Sequence, residues 1–176
     1  MRSPDERILL CIYGLSKKNR VFCALMKWVC KLSSAVFFLA YILGAVWSFV
    51  SETAHGEVIV YFAAPASTLG ISYMIRFIVK RKRPHQAIAD VTPFVDKSDA
   101  KMRKRDSLPS NHSTSAAAIA LALLAVSSCA GIVALAAAAL TGLSRVAVGL
   151  HYLGDVLAGF VLAAGMHVAW MQISGL

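Results

Sequence analysis

Charge is scarce in this chain, and acidic charge is the scarcer kind. Only 15% of the 176 residues are charged, 18 Lys and Arg against 9 Asp and Glu, where a soluble domain carries about 25%. No Asp, Glu, Lys or Arg occurs from Leu32 to Val50, Val58 to Ile75, Ser107 to Ser144 or Val156 to Leu176. With 58% hydrophobic residues and a mean hydropathy of +0.66, this deficit argues against an ordinary soluble domain and for a membrane protein. Cysteine is sparse as well. Cys11, Cys23, Cys30 and Cys129 form no CxxC pair and no zinc-ligand spacing, so burial among apolar neighbours is expected rather than a disulfide or a metal site. Asp90, Asp96, Asp99 and Asp106 lack calcium-loop spacing and read as charge balance within a basic loop. A compact apolar core ending in a small-residue cleavage site is missing, so no signal peptide is read. Internal repeats are absent, and the alanine tract Ala134 to Ala139 suits close helix packing in lipid.

What is present is a pattern of crossings. The charge-free run from Ser107 to Ser144 is too long for one passage through about 30 Å of hydrocarbon and suits two. The break is expected at Ser127-Ser128-Cys129-Ala130-Gly131, where small polar residues and a glycine permit a turn. The expected fold is therefore an all-α integral membrane bundle with five spanning helices, near 32–50, 58–79, 113–128, 131–149 and 153–175. Residues 1–31 differ, because Lys17, Lys18, Arg20 and Lys27 interrupt their apolar stretches. They read as an amphipathic segment lying on the membrane surface, with 32–176 forming the transmembrane domain.

Threading these crossings places all 18 Lys and Arg on or near one membrane face. The positive-inside rule assigns such a face to the cytoplasm. Attraction of anionic headgroups or phosphorylated substrates accounts for the same bias, so the sequence leaves the sidedness open. The run Lys101 to Arg105 would suit nucleic acid in a soluble protein. Between membrane helices its expected partner is an anionic headgroup, so a membrane lipid and the bilayer are the partners read here, with no nucleic acid and no particular oligomeric state.

Three stretches on that face carry chemistry: Arg76 to Pro84 (RFIVKRKRP), Pro109 to His112 (PSNH) and Ser144 to Asp155 (SRVAVGLHYLGD). Arg76, Arg83 and Arg145 offer fixed charge and forked donors suited to phosphoryl oxygens. His112 and His151 are imidazoles able to act as acid and nucleophile near neutral pH. Asp155, four residues after His151, shares its helix face and can hold that ring. Each element alone has a bland reading: His112 as a helix cap, His151 and Asp155 as a structural pair, Arg145 as a snorkelling side chain. Matching order and a common face outweigh those readings. His85 reads as a solvent-exposed loop residue, and His55 and His167 as structural.

At these residues the chain resembles the type 2 phosphatidic acid phosphatase superfamily, membrane lipid phosphatases whose pattern is K-x6-RP, PSGH and SR-x5-H-x3-D. The third element is matched in full by Ser144, Arg145, His151 and Asp155. Arg76 stands in place of the family's lysine and Asn111 in place of its glycine. Asn tolerates left-handed backbone better than most residues, so the turn can survive. The N-terminal surface segment followed by five crossings is most similar to the small bacterial undecaprenyl-diphosphate phosphatases.

The resemblance implies that His151 attacks phosphorus and forms a phosphohistidine that water hydrolyses. Asp155 would fix the tautomer, and His112 would protonate the leaving oxygen. Arg76, Arg83 and Arg145 would clamp the phosphoryl oxygens, with Ser110 and the amides near Asn111 completing the cradle. This scheme calls for no metal and no other cofactor, because arginines supply the charge. A polyprenyl diphosphate is the leading substrate, ahead of phosphatidate, phosphatidylglycerophosphate or a lipid-linked sugar phosphate. A non-catalytic headgroup binder is the rival from another class, and retention of both histidines and Asp155 argues against it. A bacterial cell membrane is the expected setting.

Overall fold

The protein is described by a computed structural model covering residues 2–51, 53–95 and 106–176. Asp96, Asp99 and the basic run Lys101 to Arg105 lie outside the described residues. Those described form an all-helical bundle: α1 (Pro4–Lys18), α2 (Arg20–Val50), α3 (His55–Val79), α4 (Pro84–Ala87), α5 (Asn111–Val126), α6 (Ser128–Ala147) and α7 (Leu153–Ile173). Helices α2, α3, α6 and α7 are long and apolar enough to cross a bilayer. Helix α5, at 16 residues, rises only about 24 Å. It is the central helix, packed against α3, α6 and α7.

Local chemistry sets the helix ends. Ser3 and Glu6 form a reciprocal capping box at the start of α1, with Pro4 beginning the helix and Asp5 and Glu6 in its first turn. Lys17 and Lys18 complement the dipole at its other end. The chain breaks at Asn19, whose Oδ1 accepts from the Phe22 amide at 3.0 Å and caps α2. Helix α2 then runs unbroken through residue 31, so the passage from surface to membrane takes place inside one helix rather than at a boundary between two. The turn expected over 127–131 is a single extended residue, Ser127, whose side chain accepts from the Ala130 amide at 3.4 Å. Accordingly α5 and α6 each begin two or three residues earlier than expected.

Small residues bring the helices close. Ala116, Ala117, Ala118, Ala120 and Ala122 are all buried on α5. Where α7 crosses α5, a Cβ at Gly159 would overlap Thr114 Oγ1 and stand 3.2 Å from the Thr114 backbone nitrogen. Pro65 lies inside α3 and has no N–H for the Tyr61 carbonyl four residues earlier. That carbonyl instead accepts from the Tyr41 hydroxyl of α2 at 3.4 Å, while Tyr61 donates to the Tyr41 carbonyl. The two rings stack with centroids 4.9 Å apart.

At one end of the bundle three loops are stitched together. Ser107 N–H donates to Arg81 O at 3.0 Å, Ser110 N–H to Asp155 O at 3.0 Å, and Phe94 N–H to Val148 O at 3.1 Å. Helix α1 lies against this end, burying Leu9 and Tyr13 among Val91, Val146, Tyr152 and Val156. The Tyr13 hydroxyl donates to Thr92 O at 2.8 Å. The start of α3 meets the C-terminus at the opposite end, where Gly56 packs near Ser174 and Leu176.

Candidate active site

Arg76 closes the last turn of α3, and Lys80, in the left-handed region at φ 47°, turns the chain so that Arg83 can return beside it. Both arginines are buried, Arg83 to 1% exposure. The Asp106 carboxylate holds both. Arg76 Nη2 donates to Asp106 Oδ2 and Arg83 Nε to Asp106 Oδ1, each at 2.9 Å. Arg76 Nη1 also donates to Pro109 O at 3.0 Å. Burial alone would raise the Asp106 pKa, but the hydrogen bonds and charges of Arg83 and Arg76 outweigh it and hold the carboxyl below its ordinary value. Asp106, read from sequence as charge balance, is thus the part that joins the first and second motifs.

His151 sits between α6 and α7, 2% exposed. Its Nδ1 lies 3.0 Å from the Ser107 carbonyl oxygen, 3.4 Å from Ser107 Oγ and 3.5 Å from Asp155 Oδ2. A carbonyl oxygen only accepts, so this contact places the proton on Nδ1 and leaves Nε2 bare. Burial pushes the His151 pKa down to about 4, with Arg83 and Arg76 adding to the effect and Asp155 opposing it, so the ring is neutral at pH 7. The nearest ring acceptor is therefore the Ser107 carbonyl, and Asp155 stands slightly behind it. Fully buried, Asp155 Oδ2 accepts from Ser107 Oγ and from the Tyr152 amide at 2.9 Å, while Oδ1 accepts from Arg81 Nη1 at 2.7 Å.

Helix α5 presents Asn111 and His112 at its first turn, with Ser110 as its N-cap. Amides in a first turn have no partner within the helix, which suits an anion. Ser110 Oγ lies 3.0 Å from Ser113 Oγ, and Asn111 Oδ1 accepts from Ser72 Oγ of α3 at 2.9 Å. The asparagine side chain that replaces the family's glycine is thus spent on a link between helices.

A cavity of about 420 Å³ gathers Arg76, Arg83, Asn111, His112 and His151 at one end, with Phe37, Phe38, Leu69, Tyr73 and Ile119 along its walls. Phe38 and Tyr73 are exposed on the outer surfaces of α2 and α3, so the cavity joins a basic end to apolar, lipid-facing walls. Ser110, Asp155 and Arg145 do not themselves line it. Arg145 Nη2 donates to Cys30 O at 2.8 Å and Ser33 Oγ at 3.1 Å, tying α6 to α2, and it is Ser33 that lines the cavity. His85 is half-buried in α4 rather than solvent-exposed; burial first, then Arg83, lowers its pKa against the pull of Asp106. Sequence reading missed Ser107, whose carbonyl and hydroxyl both serve the His151–Asp155 pair, together with Arg81, Asp5 and Tyr152. Ser107 lies two residues before Pro109 of the second motif, and that adjacency was the available signal.

A membrane helical bundle whose basic cavity holds two histidines and two buried arginines is the architecture of a membrane phosphatase. Residues 57–175 match the PAP2 superfamily, and the chain belongs to that family. It is a membrane lipid phosphatase. Over 172 residues it is 31% identical to undecaprenyl-diphosphatase BcrC of Bacillus subtilis (strain 168), covering 98% of this chain and 85% of that protein. Among solved structures, a PAP2-type phosphatidylglycerolphosphate phosphatase from Bacillus subtilis shares the fold with a TM-score of 0.68 at 23% identity, over 96% of this chain and 87% of the other.

Proposed function

We propose that the protein removes the terminal phosphate of a polyprenyl diphosphate through a phosphohistidine at His151. The observation that carries this reading is the Ser107 carbonyl 3.0 Å from His151 Nδ1, which leaves Nε2 unprotonated beside the Arg76 and Arg83 end of the cavity. Nε2 attacks the terminal phosphorus, the bond to the bridging oxygen breaks, and His112 delivers a proton to the departing lipid monophosphate. Water then attacks the phosphohistidine, His112 takes its proton, and inorganic phosphate leaves as His151 is restored. Arg76 and Arg83 stabilise the phosphoryl oxygens as charge redistributes. Arg145, anchored through Nη2 on Cys30 O and Ser33 Oγ, joins this clamp, and the α5 amides after Ser110 complete it. The apolar walls between α2 and α3 let the hydrocarbon tail remain in the bilayer.

The likeness to the Bacillus subtilis undecaprenyl-diphosphatase supports a prenyl tail. In domain terms, residues 1–31 serve as the interfacial segment and 32–176 as the catalytic bundle, in a bacterial cell membrane.

Phosphate release from detergent-purified protein with EDTA present, across undecaprenyl diphosphate, phosphatidate and phosphatidylglycerophosphate, tests the proposal. Fastest turnover of the diphosphate, abolished in His151→Ala, is expected. Preference for either glycerolipid overturns the substrate, and turnover that survives His151→Ala overturns the mechanism.

A further inference from the structure

Behind the nucleophile runs a chain of charges that begins in the surface helix. Asp5, in the first turn of α1, accepts from Arg81 Nη2 at 2.7 Å through Oδ2 and from the Gly154 amide at 3.0 Å through Oδ1. Arg81 Nη1 donates to Asp155 Oδ1 at 2.7 Å, and its guanidinium lies 4.4 Å from the centroid of the Tyr152 ring. Asp155 in turn holds Ser107 and the Tyr152 amide, and lies 3.5 Å from His151 Nδ1. The order Asp5, Arg81, Asp155, His151 spans 150 positions in the sequence yet is joined by contacts of 3.5 Å or less.

Charge counting shows what Asp5 does there. Without it, Arg81 neutralises Asp155, and His151 faces a pair of zero net charge. With it, Arg81 is shared between two carboxylates, and the group behind His151 carries a net negative charge. That charge matters when the ring bonds to phosphorus and becomes cationic, because Arg83 and Arg76 both oppose a cation at this position. Asp5 also bonds the N-terminal turn of α7, the helix that carries Asp155. No room is wasted: a Cβ on Gly154 would stand 2.8 Å from Asp5 Oδ2.

We infer that Asp5 and Arg81 are positioning residues for catalysis, coupling the docked surface helix α1 to the charge felt by His151. The inference rests on His151 being the nucleophile, as proposed above. It makes α1 part of the working site and not only a membrane anchor.

The test uses the full chain in detergent with undecaprenyl diphosphate, following kcat, KM, the acid limb of the kcat/KM profile and the thermal midpoint. Asp5→Asn keeps the size and removes the charge. It is expected to lower kcat about tenfold with KM within about twofold, and to move the acid limb to lower pH, because His151 then ionises less readily. Asp5→Glu restores part of kcat and the position of the limb. Leu9→Ala, which removes buried apolar packing from α1 while Asp5 keeps its bonds to Arg81 and Gly154 in the folded protein, lowers the midpoint but leaves the limb in place. An Asp5→Asn enzyme with native kcat and limb overturns the inference while leaving the phosphatase reading intact. So does one that matches Leu9→Ala in losing stability with an unmoved limb. A native enzyme whose turnover survives His151→Ala overturns both.

Discussion

Gly159→Ala is the sharpest perturbation of the geometry between α5 and α7, the helices that carry His112 and Asp155. The added Cβ would overlap Thr114 Oγ1 and approach the Thr114 nitrogen to 3.2 Å and its Cα to 3.3 Å. Thr114 has little freedom to retreat, because its hydroxyl donates to Ser110 O at 2.9 Å and its side chain is fully buried. The helices must therefore separate, at an overpacking cost of about 1–3 kcal/mol. Thr114 lies two residues from His112 on α5, and Gly159 four residues from Asp155 on α7, so separation shifts the proposed acid relative to the proposed nucleophile. Misplacement of about 1 Å can cost about 10²-fold in rate. Thermal unfolding in detergent and phosphate release, measured on Gly159→Ala and on Gly159→Ala/Thr114→Ala, check both parts. The second substitution removes the overlapping hydroxyl but not the backbone, so partial recovery of both stability and rate is expected. A single variant indistinguishable from native, or a double variant with no recovery, refutes the steric reasoning.

Other perturbations follow from the same contacts. Asp106→Asn leaves one amide oxygen to accept from only one of Arg76 and Arg83, turns an NH2 donor toward the other, and should cost about 1.5–3 kcal/mol near neutral pH. Since the folded Asp106 pKa is depressed, native protein holds this advantage in full above the ordinary carboxylate value near ~4 and loses it as pH falls through the folded value. Unfolding midpoints of the two proteins should accordingly converge in acid, and a gap that widens there contradicts the assignment. Ser107→Ala keeps the carbonyl on His151 but removes the hydroxyl from Asp155; kcat should fall about tenfold with KM nearly unchanged, as steady-state kinetics would report. Arg83→Lys should lose more than 10-fold (~1.4 kcal/mol) in kcat/KM, because an ammonium cannot hold Asp106 through a nitrogen equivalent to Nε while also presenting a fork to phosphate.

The all-helical membrane fold was legible because a bilayer penalises charge wherever a helix crosses it, leaving charge-free runs that mark the spans. The candidate site residues were nominated for a related reason: ionisable groups are costly at membrane depth, so His112, Arg145, His151 and Asp155 at the edges of apolar runs pointed to function. Sequence could also place the three motifs on one face, since counting crossings requires only their number. What it left undetermined were relations that depend on which backbone atoms meet. The Ser107 carbonyl is an acceptor that every residue carries, and only the docking of its loop against His151 gives it a tautomer to set. Arg145 looked equivalent to Arg76 and Arg83 as a cation, and only the packing of α6 against α2 shows that its Nη2 is anchored on Cys30 O and Ser33 Oγ. Asp106 looked like loop charge and Asp5 drew no reading at all, because the arginines they hold lie 23 and 76 residues away along the chain. Composition and spacing thus determined the class of protein and nominated its candidate site residues, whereas the long-range meeting of loop, surface helix and bundle decided how those side chains are oriented and charged.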